Sequence, residues 1–272
     1  MTADPRPAHT PGSLILSFYG AYGRSELGGT VPVALLIRLM GAADVDAPSV
    51  RSAVSRLKRR GLLVARREEG AAAYGLSEDA RQLLADGDRR IYGTRPAEDA
   101  DWLLAVFSVP ESERARRHVL RSRLAGLGFG QAAPGVWIAP AALHEETRHA
   151  LDRLGLAAYV DLFRGTHAGF EPTARAVRRW WDLDALADLH RAFLAAQEPA
   201  LARWSERPPS PDLAFRDYLR ALDSWRRLPY ADPGLPPALL PADWPGARSA
   251  EVFDALHSLL RDRGARFVRD EE

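Results

Sequence analysis

The chain has 272 residues, 46% of them hydrophobic, which predicts two or three compact domains with real hydrophobic cores and argues against a disordered protein. It carries 37 Lys and Arg against 36 Asp and Glu, a net charge of +1, so affinity for nucleic acid has to come from local clusters of cations. The absence of cysteine excludes disulfides, thiol nucleophiles and cysteine-ligated zinc or iron–sulfur centres.

The beginning of the chain, residues 1–12, lacks the apolar run of a secretory signal and is predicted to be disordered. The most apolar run, residues 31–40, is interrupted by Arg38 and is much shorter than a membrane span. We therefore expect a cytoplasmic protein that does not have a membrane as a partner.

Residues 13–93 are predicted to form a winged-helix DNA-binding domain. Ser13 can cap a first helix and Thr30 precedes a second, and apolar residues recur at helical spacing in both. A recognition helix and a two-stranded wing follow. Ser77 then opens a further helix that runs toward Ile91 and is interpreted as a connector or a dimer contact.

The recognition helix has clear end signals in the sequence. Asp46 is a plausible N-cap, Pro48 sits in the first turn, and Gly61 supplies a left-handed stop. Residues 62–65 then predict a strand, residues 66–73 a tip and residues 73–76 the returning strand. Helix, hairpin and basic tip together are typical of a winged helix.

At about 100° per residue, Val50, Ala53, Val54 and Leu57 gather on one side of this helix, which is predicted to face the core. No Asp or Glu occurs between Pro48 and Arg67. A run of cations on an isolated helix is ordinarily just a solvated face. Here short Ser side chains would let the helix approach base edges, and Arg can pair with guanine through two hydrogen bonds.

The predicted DNA contacts divide into two groups. Those expected in the DNA groove are Ser52, Ser55, Arg56 and Arg59, with Arg56 and Arg59 as the base readers. Those expected on phosphates, which position a protein without reading sequence, are Arg51, Lys58, Arg66 and Arg67.

Residues 94–170 are predicted to form a ferredoxin-like domain that serves dimerisation or signal relay. The predicted order βαββαβ comes from a strand at 102–110, a helix at 111–125, strands at 129–131 and 135–140, a helix at 143–154 and a strand at 157–163. Residues 128–133 loosely fit a dinucleotide-binding fingerprint, but a strand follows where a helix is needed, which favours a turn between strands.

Residues 171–272 are predicted to form a helical C-terminal domain with helices near 183–204, 213–228 and 251–263, separated by proline-rich linkers. A coenzyme A thioester needs an apolar slot and cations for its phosphates. The candidate effector-binding residues are Arg175, Arg178, Arg179, Trp180 and Trp181. The alternative for each tryptophan is packing in the core of the helical domain.

Neither a catalytic nor a metal site is predicted, and neither is a cofactor. His144 and His149 are five residues apart, which places the two imidazoles about 140° apart around a helix, so joint zinc ligation is disfavoured. The acidic pairs at 145–146 and at 182 and 184 are ordinary for exposed helix starts. The sequence therefore predicts a protein that is not an enzyme.

Several segments, taken in order, resemble the PaaX-type transcriptional regulators, the repressors of aerobic phenylacetate catabolism. They are VRSAVSRLKRRGLL, ARREEGAAAYGLSEDARQLL, RRIYG, DWLLAVFSVPE, LGFGQAAPGVWIAP, WWDLDALADLHRAFL and RLPYADPGLPPALLPADWPG. The resemblance covers nearly the whole chain. It implies a winged helix, a ferredoxin-like domain and a helical domain in a dimeric repressor that phenylacetyl-coenzyme A releases from its DNA operator.

By position, the resemblance also implies recognition residues and a wing, at Arg51, Ser52, Ser55, Arg56, Arg59, Arg66 and Arg67. The central segment also resembles the small nucleases of CRISPR adaptation, which place an aspartate at the end of their first strand. Ser108 stands there in this chain, and a neutral hydroxyl cannot replace a carboxylate as a metal ligand.

The leading interpretation is thus a homodimeric, sequence-specific repressor that binds double-stranded DNA and responds to an acyl-coenzyme A effector. Two alternatives stay open at this stage. One is a metal-dependent nuclease that uses the central domain and depends on Asp101. The other is a scaffold that uses its winged helix to bind protein partners.

Overall fold

The computed structural model describes residues 9–68, 70–93 and 101–272. It confirms a mixed α+β chain with two antiparallel sheets. The helices and strands are α1 Pro11–Phe18, β1 Thr30–Pro32, α2 Val33–Ala42, α3 Ala47–Arg59, β2 Leu63–Glu68, β3 Ala71–Leu76, α4 Glu78–Tyr92, β4 Trp102–Phe107, α5 Arg114–Gly126, β5 Gly130–Ala133, β6 Val136–Pro140, α6 His144–Arg153, β7 Val160–Gly165, α7 Thr173–Trp180, α8 Leu183–Glu206, α9 Pro211–Trp225, α10 Leu228–Ala231 and α11 Gly246–Asp270.

The described residues fall into two compact units. The first contains those within 1–91 together with 191–226 and 247–272, and the second contains those within 92–190 together with 227–246. The helical domain predicted over 171–272 therefore supplies segments to both units. The division into 1–12, 13–93, 94–170 and 171–272 itself stays a prediction, and residues 1–8 and 94–100 lie outside the described part of the chain.

The first helix begins earlier than the sequence indicated. Thr10, and not Ser13, is the N-cap: its hydroxyl accepts from the Ser13 amide, and the Ser13 hydroxyl accepts from the Thr10 amide. This reciprocal pair satisfies two amides at the helix start, and Pro11 occupies a position where its missing N–H costs nothing. Residues 11 and 12 of the predicted disordered N-terminus are therefore the first residues of α1.

The three-stranded sheet of the first unit has the order β1-β3-β2. The sequence did not predict β1, a three-residue strand that pairs with β3 just before α2 begins. The hairpin of β2 and β3 is longer than predicted, with pairing from Leu63 opposite Leu76 to Glu68 opposite Ala71. The expected strand pairing is confirmed, and only the extent of the tip was wrong.

Aromatic side chains fill the core of the first unit. The ring of Phe215 in α9 packs against Phe18 and Tyr22, which precede β1, and against Phe267 in α11. Gly264 lies where α11 crosses this cluster: a Cβ there would lie 2.9 Å from the Phe215 Cα and would also overlap the Tyr22 hydroxyl. Glycine is needed at this crossing because the two helices approach so closely.

The four-stranded sheet of the second unit is antiparallel, with the order β5-β6-β4-β7. Leu120 and Leu124 of α5 and Leu151 of α6 pack against Leu103 of β4, so both helices cover the same face of the sheet. The predicted strands and helices of this region are present, and a short 3-10 turn precedes α5 and α6 and also β7.

The opposite face of this sheet is partly covered by α7, which the sequence did not predict. Trp102 of β4 and Ile138 of β6 pack there with Val177 and Trp181. A Cβ at Gly130 would lie 2.6 Å from the Trp180 carbonyl and 2.8 Å from the Trp181 ring. Gly130 thus permits close packing between β5 and the tryptophans. Residues 130–133 form β5, so the turn between strands lies at 134–135 and not at 128–133 as predicted.

Two of the predicted C-terminal helices, α8 and α11, are longer than the sequence indicated. Pro199 lies inside α8 without ending it, and α11 extends beyond the predicted 251–263 at both ends. The short helix α10 was not predicted. Among the described residues, no helix combines the length and the apolar composition that crossing a membrane requires.

We predict that Gly264→Ala destabilises the first unit by about 1–3 kcal/mol, because the added methyl group has to displace the α9 backbone. Chemical denaturation of the full chain measures this loss. Gly41→Ala is the matched control: a Cβ at Gly41 in α2 meets no atom within 4 Å, so its unfolding free energy should stay equal or rise slightly. Equal values for the two variants would show that the crossing has room for a methyl group.

Candidate nucleic-acid interface

The helix α3 has the boundaries that its sequence predicted. The Asp46 carboxylate accepts from the Ser49 amide at 2.9 Å, which confirms Asp46 as the N-cap. This hydrogen bond lowers the pKa of Asp46, so the cap is ionised at neutral pH. Arg60 is the C-cap and Gly61 has φ +70°, the left-handed stop that only glycine adopts without strain.

The two sides of α3 differ as predicted. Val50, Ala53, Val54 and Leu57 are buried, and α3 packs against α1 and α2. All of the predicted DNA contacts on this helix are exposed, namely Arg51, Ser52, Ser55, Arg56, Lys58 and Arg59. The sequence thus located an open surface correctly.

The exposed cations of α3 are not neutralised within the described part of the chain. No carboxylate there pairs with Arg51, Arg56, Lys58, Arg59 or Arg60. The Arg56 guanidinium donates to the Ser52 hydroxyl at 2.6 Å, one turn earlier on the same side of the helix. A solvated cation face whose charges are not paired with carboxylates is able to bind an anionic surface.

The hairpin of β2 and β3 adds two more cations beside α3. Arg66 and Arg67 are exposed residues within β2, opposite Ala73 and Ala72, and so lie in a strand instead of the predicted tip. Behind the hairpin, the Tyr19 hydroxyl donates to the Tyr74 carbonyl at 2.6 Å. Burial raises the pKa of Tyr19, and the nearby Glu68 carboxylate adds to the shift, so this donor stays protonated.

Helix α1, which packs against α3, is held by a buried carboxylate that the sequence did not indicate. Asp223 of α9 is fully buried and accepts from Ser13 at 2.9 Å, from Ser17 at 3.0 Å and from Arg226 at 3.1 Å. The His9 ring nitrogen lies 2.9 Å from the same carboxylate. More than 200 residues separate Asp223 from its partners on α1, so no local sequence signal connects them.

The ionisation of Asp223 follows from these contacts. Burial alone would raise the pKa of Asp223, but the hydrogen bond from His9, the charge of Arg226 and the hydroxyls of Ser13 and Ser17 together lower it below the ordinary value. The carboxylate is therefore charged at neutral pH inside the protein. A buried charge of this kind stabilises the fold only while all its partners remain in place.

The candidate effector residues lie around α7 in the second unit. Arg175, Arg178 and Arg179 are exposed, and Arg179 pairs with Glu171. A cavity of about 320 Å³ is lined by Arg178, Arg179, Trp181, Asp182, Leu183 and Asp184. The structure thus brings two of the arginines and one tryptophan together, beside two carboxylates that weaken the attraction for an anion.

The two tryptophans of this group also have structural contacts. Trp181 is buried and its indole N–H donates to the Gly128 carbonyl at 2.9 Å. Trp180 is half-buried, with its ring 5.5 Å from Trp102 and 5.2 Å from His167 in edge-on contacts. Both tryptophans therefore pack against the core of the second unit, which was the alternative to effector binding.

The groups considered for catalysis remain apart in the structure. His144 pairs with Glu145 at 2.9 Å on the surface of α6. Asp101 pairs with Arg164 at 3.0 Å, and Ser108 is exposed after β4. Within residues 9–68, 70–93 and 101–272 no cluster of three or more His, Cys, Asp or Glu side chains has the geometry to hold a metal ion.

Three family descriptions match consecutive parts of the sequence. Residues 10–80 match "PaaX-like protein", residues 95–177 match "PaaX protein central Cas2-like domain" and residues 181–270 match "PaaX-like protein C-terminal domain". The chain belongs to the PaaX family. The resemblance drawn from sequence segments is thereby confirmed, and the central part of the PaaX-family chain is Cas2-like.

Individual proteins agree with this assignment. The transcriptional repressor PaaX of Escherichia coli (strain K12) is 27% identical over 264 residues, which cover 95% of this chain and 83% of the relative. A solved structure, an uncharacterized protein from Mycobacterium tuberculosis, matches with a TM-score of 0.54 and 22% identity over 93% of this chain and 95% of that one. The second likeness shows a shared fold alone. The family and the repressor relative place this chain among transcriptional regulators.

We predict that the Asp223 cluster makes the first unit sensitive to acid. Because the folded pKa is lowered, its stabilisation is complete above the ordinary aspartate pKa and is lost as the pH falls through the folded pKa. Asp223→Asn should lower the unfolding free energy at neutral pH by about 2 kcal/mol and flatten its decline in acid. Urea unfolding between about pH 6 and about pH 3 measures both effects.

Asp254→Asn is the control for this measurement, because it removes an exposed carboxylate from α11 of the same unit. Its pH profile should follow that of the wild-type chain. An unchanged profile for Asp223→Asn would contradict the role of the buried carboxylate.

Proposed function

We propose that this chain is a homodimeric, sequence-specific repressor that binds operator DNA with α3 and the β2–β3 hairpin. Membership of the PaaX family and the similarity to a repressor support DNA-binding repression and favour a regulator over an enzyme. The observation that carries the proposal is the exposed face of α3, whose cations lack carboxylate partners in the described residues while its opposite face is buried.

In this proposal α1, α2 and α3 with the hairpin act as a winged helix. The element order and the sheet order β1-β3-β2 support that assignment. Ser52, Ser55, Arg56 and Arg59 enter the major groove, where Arg56 and Arg59 read bases. Phosphates are contacted by Arg51 and Lys58 from the helix and by Arg66 and Arg67 from the hairpin.

The second unit has a complementary role in the proposal. Its strand order, β5-β6-β4-β7, with α5 and α6 on one face supports the ferredoxin-like arrangement. We propose that it serves dimerisation or signal relay. Two copies of α3 would then reach half-sites about one helical turn of DNA apart, or a multiple of that. The protein would act in the cytoplasm, where its operator lies.

The effector in this proposal is an aryl- or acyl-coenzyme A thioester, with phenylacetyl-coenzyme A as the first candidate from the family resemblance. Its site would be the cavity beside α7, where Arg178 and Arg179 offer cations and Trp181 offers an apolar edge. Arg175 and Trp180 lie on the same helix. Release of DNA requires that the ligand bind the two states of the repressor with different affinity.

Footprinting of the full chain on its own upstream region tests the proposal. We expect one protected operator at physiological salt, with two half-sites. The absence of any protected sequence, or binding that is equal on all DNA, would count against a sequence-specific repressor.

The base-reading role of Arg56 gives a sharper prediction. Arg56→Ala should cost about 1–3 kcal/mol at the operator and relax the preference at one base pair, because a bidentate contact to guanine is lost. Lys58→Ala, also exposed on α3, is the matched comparison. This substitution should weaken binding to operator and to random DNA alike. It should also reduce by about one the slope of log affinity against log salt concentration. If Arg56→Ala lost as much affinity for random DNA as for the operator, Arg56 would contact a phosphate and not a base.

The effector role predicts thermal stabilisation by coenzyme A thioesters. Phenylacetyl-coenzyme A at about 100 times its dissociation constant should stabilise the folded chain by about 2.7 kcal/mol. Arg178→Ala should abolish the shift in melting temperature, and Arg114→Ala, which removes an exposed arginine from α5, should preserve it. A flat response to both aryl and aliphatic thioesters would contradict the proposed effector class.

A further inference from the structure

The turn that leads into α3 contains an unusual backbone conformation. Asp44 has φ +63° and is the non-glycine residue with a positive φ in the described part of the chain. The Asp44 amide donates to the Gly41 carbonyl and the Val45 amide to the Met40 carbonyl, which is the hydrogen-bond pattern of a Schellman motif ending α2. Glycine normally occupies this left-handed position, because a side chain disfavours it.

A distant arginine holds this turn. The Arg220 guanidinium of α9 donates to the Asp44 carboxylate at 2.8 Å and to the Ala43 carbonyl at 3.3 Å. Ala43 is the C-cap of α2, and a cation is favourable at such a carbonyl end. One side chain thus holds both the left-handed residue and the last carbonyl before it, although 176 residues separate Arg220 from Asp44.

The contact between Arg220 and Asp44 lies directly before the start of α3. Asp44 lies two residues before Asp46, the N-cap of α3, so the dihedral angles at the turn determine where α3 starts and which way it points. Both side chains of the Arg220–Asp44 pair are partly exposed, at 38% and 60%. Exposed ion pairs contribute little to global stability. The effect of this pair should therefore appear in the placement of α3 more than in the melting of the protein.

We infer that Arg220 is a positioning residue for the DNA-reading helix: it holds Asp44 in the left-handed conformation and so fixes α3 in the orientation that fits DNA. This inference rests on the proposed function, and it assigns to α9 a part in operator affinity. A chain without this contact has to order the turn when it binds, which reduces its affinity for DNA.

The test combines two substitutions with operator titrations of the full chain. Arg220→Ala should weaken operator binding about three- to fivefold, which is the most that an exposed ion pair and one carbonyl contact can account for. Asp44→Gly, which adopts the positive φ without strain, should bind nearly as the wild-type chain does. Adding Arg220→Ala to Asp44→Gly should then cost less than about twofold, because the turn no longer depends on the arginine.

Arg216→Ala is the matched control. Arg216 lies one turn earlier on α9 and pairs with Asp217, so its loss leaves the α2–α3 turn untouched and operator affinity unchanged. Amide hydrogen exchange without DNA supplies a second readout. Exchange at residues 44–50 should rise in Arg220→Ala and not in Arg216→Ala.

Three outcomes would overturn the inference. An equal loss of affinity for Arg220→Ala with and without Asp44→Gly would show that the arginine acts through something other than the turn. A fall in the salt slope by about one would make Arg220 a direct phosphate contact. Unchanged exchange at the turn and unchanged operator affinity would remove the positioning role while leaving the repressor proposal intact. Absence of operator binding by the wild-type chain would instead overturn the proposed function, and this inference with it.

Discussion

The carboxylate of Asp223 is the contact on which the arrangement of the first unit depends. A charge enclosed in protein has to keep its hydrogen-bond partners, because the loss of one leaves it without compensation for the water it gave up. Two of these partners, Ser13 and Ser17, lie on α1, and α3 packs against α1. The exposed basic face of α3 is therefore presented by a scaffold that includes helix α9 from the C-terminal part of the sequence.

Other contacts extend the same connection. Glu26, in the segment after α1, pairs with Arg261 and Arg269 of α11, and Arg38 of α2 pairs with Glu271. Together with the aromatic cluster around Phe215, these pairs make the N-terminal elements and the last helices one compact unit. The segment that carries the exposed basic face of α3 is thus built into the C-terminal helices, which gives those helices a direct physical route to influence α3.

The sequence predicted α3 well because its determinants are local. Asp46 caps it, Gly61 ends it, and Val50, Ala53, Val54 and Leu57 mark its buried side, all within one short segment. The strands β4 to β7 and the helices α5 and α6 of the second unit were likewise predicted from apolar runs and helical periodicity, whereas α7 and α10 were not. Local rules failed where contacts with other segments determine the secondary structure. The strand β1 forms only because β3 lies beside it, and Pro199 is tolerated within the long helix α8.

The candidate sites were predicted to different degrees, because some depend on local sequence and others on contacts between distant segments. Exposure of the α3 cations follows from periodicity, whereas the roles of Asp223 and Arg220 depend on contacts across more than 170 residues that composition and spacing do not encode. Around α7, one cavity is lined by Arg178, Arg179 and Trp181 of the five predicted residues, and Trp181 also packs against Gly130 in the edge strand β5. Periodicity cannot distinguish a residue that lines a cavity from one that packs in the core when one residue does both.

Amide hydrogen exchange of the full chain, with and without a DNA duplex from its own upstream region, locates the surface that contacts DNA. If α3 and the hairpin form that surface, protection rises at residues 47–59, 63–68 and 71–76 and stays unchanged in α5, another helix rich in arginine. Protection confined to α5, or to any surface apart from α3 and the hairpin, would show that this chain binds DNA elsewhere and that α3 is not its recognition helix.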